Sequence, residues 1–202
     1  GVRHVLTNCE YDRNCTVRVI CMRRMWIRNN YLGYSSIMGE NYMDYIIADH
    51  ILIPQDKQKY YSEKIVYLPD SFMVNDTKKK ISSRVFTRKE AGLPSEGFIF
   101  SCFNHHYKIT PSVFKSSMRI LLQVDGSVLW LSDGNTTGIN NLKNTALKEG
   151  VDEKRLICAP RLELREDHLN RIKLADLFLD TLPYNAHATT SDALQVGLPV
   201  LT

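Results

Sequence analysis

The chain has 202 residues, of which 44% are hydrophobic and 24% charged, a composition ordinary for a globular protein. No run approaches the roughly 20 apolar residues that a membrane span needs, and no N-terminal signal sequence is recognisable. Residues 1–30 carry six arginines against Glu10 and Asp12, so this segment holds the chain's whole net charge of +4. Nucleic-acid binders usually spread basic residues over the folded body, so this distribution argues against a nucleic-acid partner.

The first part of the chain is irregular. Apolar runs predict strands at 45–48 and 65–68, with a short helical piece around 56–63 between them, and residues 17–22 are compatible with a further strand. The polar stretch at 77–88 is typical of a linker. We therefore place the end of an N-terminal lobe at residues 1–85 and a second lobe at residues 86–202.

From residue 95 onward, predicted strands alternate with predicted helices. Short apolar runs predict the strands at residues 97–103, 127–131, 155–158, 177–179 and 199–201. Helical spacing and end signals predict the helices at residues 111–122, 139–150, 166–175 and 191–196. Such alternation is typical of parallel strands joined by right-handed crossovers, so this part is predicted to be a doubly wound α/β lobe with helices on both faces.

The cysteines indicate neither a metal site nor a disulfide framework. Cys9, Cys15 and Cys21 recur every six residues, which is not the close-paired spacing of a zinc site. Cys102 and Cys158 lie in apolar runs, where small buried thiols are common. The simplest interpretation is reduced thiols in a cytoplasmic protein.

Polar clusters follow three of the predicted strands, at residues 104–108, 159–168 and 185–192. Ligands of parallel sheets gather at the carboxyl ends of strands, and a helix N-terminus favours an anion. A lysine there can neutralise a diphosphate, and histidines can donate hydrogen bonds to it. The clusters therefore predict a phosphate site, although each taken alone also fits an N-cap or an exposed loop. No dinucleotide fingerprint, P-loop, nucleophile elbow or zincin motif occurs in the sequence.

At these clusters the sequence resembles a known family. The segments FNHHYKITP at 103–111 and LADLFLDTLPYNAH at 174–187 resemble the catalytic region of the SPINDLY-like protein O-GlcNAc transferases. Further matches occur in the same order, and together they extend the resemblance to roughly residues 31–202; they lie at residues 31–34, 43–49, 159–161, 192–194 and 197–202.

The resemblance implies a GT-B-like fold, with a truncated Rossmann-type lobe at 86–202 and the end of an N-terminal lobe at 1–85. It implies an inverting, metal-independent enzyme without a cofactor, which transfers GlcNAc from UDP-GlcNAc to serine or threonine of intracellular proteins. UDP-GlcNAc and acceptor proteins would be its partners, and tetratricopeptide repeats would lie upstream in the parent protein.

The resemblance also implies a set of site residues. Lys108 would be the catalytic cation on the diphosphate, His168 would lie by the nucleotide, and Asp192 would hold the ribose. Thr189 and the helix N-terminus would contact the phosphates, and residues 32–33 would border the sugar. The full set implied to bind the nucleotide sugar is Leu32, Gly33, His105, Lys108, Arg165, His168, His187, Thr189, Thr190 and Asp192.

The sequence departs from the family pattern at several positions. The family's His-Thr-Thr is His187-Ala188-Thr189 here, which removes one hydroxyl, and Gln195 stands where many relatives have tryptophan. The usual Pro-Gly-Thr on the sugar and acceptor side is replaced at residues 35–37. Two alternatives therefore stay open, another GT-B-type UDP-sugar enzyme and a non-catalytic remnant that binds nucleotide or protein. Because the family's upstream histidine segment and the end of its C-terminal lobe are missing, we expect this piece to bind UDP weakly and to transfer nothing.

Overall fold

The computed structural model describes residues 4–7, 27–32, 36–39, 41, 43–76 and 78–202. The chain divides into two compact units, Gly1–Asn75 and Asp76–Thr202. The strand suggested at 17–22 lies outside the described residues, and the assignment of residues 1–85 and 86–202 to two catalytic lobes stays a prediction. In the part of the chain that the structure describes, no helix is long and apolar enough to cross a membrane.

The first unit contains a parallel four-stranded sheet. Its strands follow one another in chain order and are β1 (His4–Thr7), β2 (Ile27–Asn30), β3 (Tyr45–Ala48) and β4 (Lys64–Tyr67). The predicted strands at 45–48 and 65–68 are confirmed as β3 and β4, and a 3₁₀ helix, Gln55–Tyr60, lies between them. Ile46 and Ala48 of β3 pack with Ile53 in a small buried core.

The second unit contains a parallel five-stranded sheet with the order β7-β6-β5-β8-β9. Its strands are β5 (Ile99–Cys102), β6 (Val128–Ser132), β7 (Leu156–Ala159), β8 (Leu177–Leu179) and β9 (Val200–Leu201). Its α-helices are α1 (Pro111–Gln123), α2 (Thr136–Lys148), α3 (Arg165–Arg171) and α4 (Ala188–Gln195). The predicted alternation and parallel pairing are confirmed, and β5 pairs in parallel with both β6 and β8.

Helices cover both faces of this sheet, as predicted. On one face, Phe100 of β5 and Leu129 of β6 pack with Phe114 and Met118 of α1, and Ala146 of α2 joins the same cluster. On the other face, the cluster includes Ile99, Trp130 and Phe178 with Ala193 of α4. Successive strand residues point to opposite faces, so β5, β6, β7 and β8 each supply residues to both clusters, whereas β9 supplies only Val200, to the second.

Three helix boundaries differ from the prediction by three residues or more, and one of them is the start of α2, which lies at Thr136 instead of residue 139. The helix predicted at 166–175 ends at Arg171 and continues only as a 3₁₀ turn, Ile172–Leu174. The helix predicted to start at 191 begins at Ala188, and His187 is its N-cap. Thr189 and Thr190 are weak helix formers by propensity. A tertiary hydrogen bond from Thr189 to the end of β5 anchors this first turn, and sequence periodicity does not report such a bond.

Candidate functional site

The carboxyl edge of the second sheet contains a point where the strand order reverses. The chain runs from β5 outward to β6 and β7, and then returns to place β8 on the other side of β5. In open parallel sheets, the crevice outside such a switch point is where ligands bind. The loops after β5 and β8 and the start of α4 meet at this place.

A buried polar network joins these loops. Asn104, two residues after β5, donates its Nδ2 to Asp180 Oδ1 at 3.2 Å and to Thr181 Oγ1 at 2.9 Å, just after β8. Thr189 Oγ1 of α4 donates in turn to Asn104 Oδ1 at 2.9 Å. Asp180 Oδ1 also accepts the backbone N–H groups of Thr181 and Ala186, both at 2.7 Å. The network therefore fixes the turn that leads into α4.

The Asp180 carboxylate stays ionised within this network. Burial raises the pKa of Asp180, but hydrogen bonds from Asn185, Ala186, Thr181 and Thr202 together lower it by more than burial raises it. The pKa of Asp180 therefore lies below its ordinary value of 3.8. A fixed negative charge therefore lies directly under the turn before α4.

Lys108 lies above this carboxylate, at the end of the 3₁₀ helix His106–Lys108. Its Nζ donates to the carbonyl oxygen of Asn185 at 3.0 Å and lies 3.9 Å from the centroid of the Tyr184 ring. Burial lowers the pKa of Lys108, and the charge of Asp180 acts in the opposite direction. The pKa of His187 is lowered first by burial and then by the charge of Lys108. A partly dehydrated ammonium therefore lies close to the N-cap of α4.

A cavity of about 440 Å³ opens at the carboxyl ends of β5, β6 and β7. Its walls are residues that follow these strands and two side chains of α3, namely Phe103, His105, residues 132–134, residues 159–162, His168 and Arg171. Its volume falls in the range of small-molecule sites, which is about 300–1,000 Å³.

His168 is held in this cavity in a defined orientation. Its ring packs edge-on against Phe103 at a centroid distance of 5.5 Å, and its Nδ1 lies 3.2 Å from Arg171 Nη2. Since arginine only donates, Nδ1 is the acceptor, and the proton of the neutral ring is assigned to Nε2. Burial and then the charge of Arg171 lower the pKa of His168 below 6.5. The imidazole is therefore neutral at pH 7, with an N–H group available to a ligand.

The Asp192 carboxylate, on α4, is buried and bound by two cations. Arg165 Nη2 donates to Oδ1 at 3.1 Å and to Oδ2 at 3.2 Å, and Lys79 Nζ donates to Oδ1 at 2.9 Å. Two cations against one carboxylate leave a net charge of +1 between α3 and α4, which favours an anionic ligand.

Comparison with known proteins decides the family. The model of glycosyl transferase family 41 matches residues 1–84 and 79–202, which together make up the whole chain. The chain belongs to glycosyltransferase family 41.

Individual relatives agree with this assignment. A probable UDP-N-acetylglucosamine–peptide N-acetylglucosaminyltransferase of Arabidopsis thaliana, SEC, is 32% identical over 197 residues, which cover 95% of this chain and 20% of the relative. The UDP-N-acetylglucosamine–peptide N-acetylglucosaminyltransferase of Caenorhabditis elegans is 34% identical over 311 positions, covering 98% of this chain and 27% of the relative. The family 41 chain therefore spans between 20% and 27% of these two curated relatives.

A solved structure has the same fold. A mutant O-GlcNAc transferase from Thermobaculum terrenum is similar with a TM-score of 0.76 and 25% sequence identity, over 92% of this chain and 35% of that chain. The parallel sheets and their helices confirm the α/β, GT-B-like fold that the sequence resemblance implied.

The remaining predicted site residues of this family 41 chain lie in different surroundings. His105 is exposed and stacks on Tyr107 at a centroid distance of 5.7 Å. The Thr190 hydroxyl oxygen is buried and has no hydrogen-bond partner among the described residues. Leu32 belongs to the first unit, where it adopts a left-handed φ of 63° two residues after β2. Gly33 lies outside the described residues.

The structure thus gathers most of the predicted site residues of the second unit around one sheet edge, in two adjoining groups. Lys108, His187 and Thr189 surround the start of α4, whereas His105 and His168 line the cavity. The consecutive residues Phe103 and Asn104 connect the two groups. Asn104 is hydrogen-bonded to Thr189 of the first group, and Phe103 contacts His168 of the second.

Four polar residues of the site were not singled out by the sequence. The strand-end argument included Asn104 in the cluster 104–108 without giving it a role, and it would also have selected Asp180, which directly follows β8. Arg171 lies three positions after His168 on α3 and is 4% exposed, but a lone arginine carries no signal of burial. Lys79 lies in a stretch with a linker composition, and nothing local distinguishes it from Lys78 or Lys80.

Proposed function

We propose that the chain is part of a UDP-GlcNAc-dependent protein O-glycosyltransferase that transfers GlcNAc to serine or threonine of intracellular proteins in the cytoplasm. The match to family 41 along the chain supports this proposal, as does its similarity to UDP-N-acetylglucosamine–peptide N-acetylglucosaminyltransferases. The observation that carries it is the position of Lys108, beside the N-cap of α4 at the switch point of the sheet.

The diphosphate of the donor is proposed to bind between Lys108 and the start of α4. The first N–H groups of a helix lack partners within the helix and, with the helix dipole, favour an anion. Lys108 adds a positive charge that is partly shielded from water, where electrostatic stabilisation is strongest. Asp180, below the turn, keeps this ammonium and the turn in place.

The nucleoside is proposed to occupy the cavity beside His168. The Nε2–H group of the neutral imidazole of His168 would donate a hydrogen bond to the base of the nucleotide. The Asp192 carboxylate would accept a hydrogen bond from a ribose hydroxyl. Arg171 supports the histidine from below, since its Nη1 donates to the carbonyl oxygen of Pro160 at 2.6 Å. The base is thereby directed to the ends of β5–β7 and the diphosphate to the start of α4.

In the proposed reaction, the oxygen of an acceptor hydroxyl forms a bond to the anomeric carbon of GlcNAc as the bond from that carbon to the diphosphate oxygen breaks. The hydroxyl proton is released to solvent, so the products are the glycosylated acceptor, UDP and a proton. In-line attack inverts the configuration, and the leaving bond pair becomes negative charge on UDP. Lys108 and the N–H groups of α4 stabilise this charge without a metal ion. The described residues contain no group of three or more histidine, cysteine, aspartate or glutamate side chains that fits a metal ion.

One observation favours the alternative of a non-catalytic remnant that binds nucleotide or protein. Ala188 supplies no hydroxyl at the start of α4, and the hydroxyl proton of Thr189 is already donated to Asn104. The diphosphate would then rely on backbone N–H groups, on Lys108 and on the Thr190 hydroxyl, whose oxygen has no hydrogen-bond partner among the described residues. Another GT-B-type enzyme acting on a UDP-sugar, such as an epimerase or an N-glycosyltransferase, would share this donor site and differ on the acceptor side.

Calorimetric titration of the 202-residue chain with UDP tests the donor site, with Lys108→Met as the variant and the exposed Lys173→Met as its control. We expect the wild-type chain to bind UDP, Lys108→Met to weaken this binding and Lys173→Met to leave it unchanged. A wild-type chain that does not bind UDP contradicts the proposal. Incubating the complete parent protein with labelled UDP-GlcNAc and a protein lysate, with and without a chelator, then tests transfer. UDP binding without transfer selects the remnant, and transfer abolished by the chelator overturns the metal-free mechanism.

A further inference from the structure

A basic segment with the composition of a linker reaches into the candidate site. Of the three consecutive lysines 78–80, Lys78 and Lys80 are exposed, whereas the Lys79 side chain is 15% exposed and pairs with Asp192, itself 12% exposed in its side chain. The two residues are 113 positions apart. Exposed ion pairs contribute little, but a pair this shielded constrains the orientation of both groups.

Residues 79–84 form a strap that is attached to α3. The backbone N–H of Ser82 donates to the carbonyl oxygen of Glu166 at 3.2 Å. Asn170 Nδ2 donates to the carbonyl oxygens of Ser82, at 2.9 Å, and of Arg84. Because α3 also carries Arg165, the strap delivers its lysine to the same carboxylate that Arg165 binds.

The hydrogen bonds at Asp192 distinguish its two oxygens. Among the described residues, Oδ1 accepts from both Lys79 and Arg165, whereas Oδ2 accepts from Arg165 alone. A carboxylate oxygen has about two acceptor directions, so Oδ1 is filled and Oδ2 keeps one for a further donor. Without Lys79, the carboxylate would keep a single donor group and rotate more freely about its χ2 bond.

We propose that Lys79 is a positioning residue for the donor nucleotide, because it fixes the Asp192 carboxylate with Oδ2 directed to a ribose hydroxyl. The inference rests on the proposed function, since it takes a nucleoside diphosphate as the ligand. It adds to that function a residue outside the family's matched motifs and a role for the strap.

The test compares UDP with 2′,3′-dideoxy-UDP, which keeps the base and the diphosphate but lacks both ribose hydroxyls. Calorimetry on the 202-residue chain is expected to show at least about tenfold preference for UDP, the size of one hydrogen bond to a charged group. Lys79→Met is expected to reduce this preference to less than about threefold by weakening UDP far more than the dideoxy nucleotide. Lys79→Arg, which keeps the charge and a donor, and the exposed neighbour Lys80→Met are expected to retain it.

The result separates the inference from the function on which it rests. A wild-type chain that binds neither nucleotide overturns the proposed function. A wild-type preference that Lys79→Met leaves unchanged, or a loss of affinity equal for both nucleotides, overturns only the positioning role. So does a wild type that binds both nucleotides equally. If Lys79→Met fails to fold, Asn170→Ala, which releases the strap but keeps the lysine, is expected to lower the preference, and an unchanged preference then overturns the inference.

Discussion

The two ends of the sheet in the second unit use arginine in opposite ways. At the amino end, Arg155 donates Nε to the carbonyl oxygen of Ser127 at 2.7 Å, and its Nη2 to the carbonyl oxygens of Leu121 and Val124 at 2.6 and 2.9 Å. At the carboxyl end, Arg171 bonds Pro160 and His168, but its buried Nε has no hydrogen-bond partner in the described part of the chain.

This difference indicates that the carboxyl end of the sheet, and not the amino end, has hydrogen-bond donors left for a ligand. The donors at the amino end are consumed by carbonyl groups at the end of α1 and before β6, so that end is closed by the protein itself. The carboxyl end leaves the buried Arg171 Nε without a hydrogen-bond partner among the described residues, and Arg171 lines the cavity. Buried polar groups are normally satisfied, so unsatisfied donors beside a cavity indicate a ligand.

Arg155→Met is expected to lower the free energy of unfolding by about 2–4 kcal/mol, because several carbonyl groups lose their donor together. Urea unfolding measures the loss, and the exposed neighbour Lys154→Met is the control. The affinity of the folded variant for UDP is expected to stay within twofold of wild type. A selective loss of UDP affinity without a loss of stability would reverse the roles assigned to the two ends.

Asp180→Asn is expected to lower the free energy of unfolding by about 2–3 kcal/mol, because an amide presents its own donors to the groups that bind the carboxylate. The pKa of Asp180 is lower in the folded state, so its contribution is fully present above pH 3.8 and is lost as the pH falls through the folded pKa. Urea unfolding of wild type and variant should therefore differ at pH 7 and converge in strong acid. A difference independent of pH would contradict this account.

Lys108→Met is expected to weaken UDP binding by about 1.5–3 kcal/mol while changing stability little, since a charged donor is lost from a site that faces the ligand. Calorimetry measures the affinity, and Lys173→Met again serves as the control. Affinity equal to wild type would remove Lys108 from the donor site. It would also break the contrast between a closed and a binding end of the sheet.

His168→Gln is expected to weaken UDP binding by about 1 kcal/mol, since glutamine keeps one N–H donor but loses the fixed ring. The pKa of His168 is lowered in the folded state, so the unfolded chain binds more protons as the pH falls below 6.5, and stability falls with it. Urea unfolding as a function of pH should show a shallower fall for the variant than for wild type. Equal slopes would show that this histidine titrates alike in both states.

The chain's elements were largely predictable because their signals are local. Apolar runs located β5, β6 and β8, and Pro111 located the start of α1. The structure adds the N-cap, since the Thr110 hydroxyl accepts from the Val113 N–H. Alternation of strands and helices implied parallel pairing, which the registers of β5 with β6 and β8 confirm. The strand-end rule and the family's motifs pointed to Lys108 and His168, and their functional roles stay predictions.

The tertiary structure alone decided how these pieces serve one site. The return of β8 to the side of β5 creates the switch point, and the bond from Thr189 to Asn104 joins groups 85 positions apart. Burial of Arg171 and the pairing of Lys79 with Asp192 likewise join separate elements. Periodicity and capping report interactions within a few residues, whereas such pairings depend on the packing of whole helices against the sheet. The sequence by itself therefore determined the family and most elements from β3 onward, whereas β1 and β2 were not predicted, and the fold decided which polar groups are buried together.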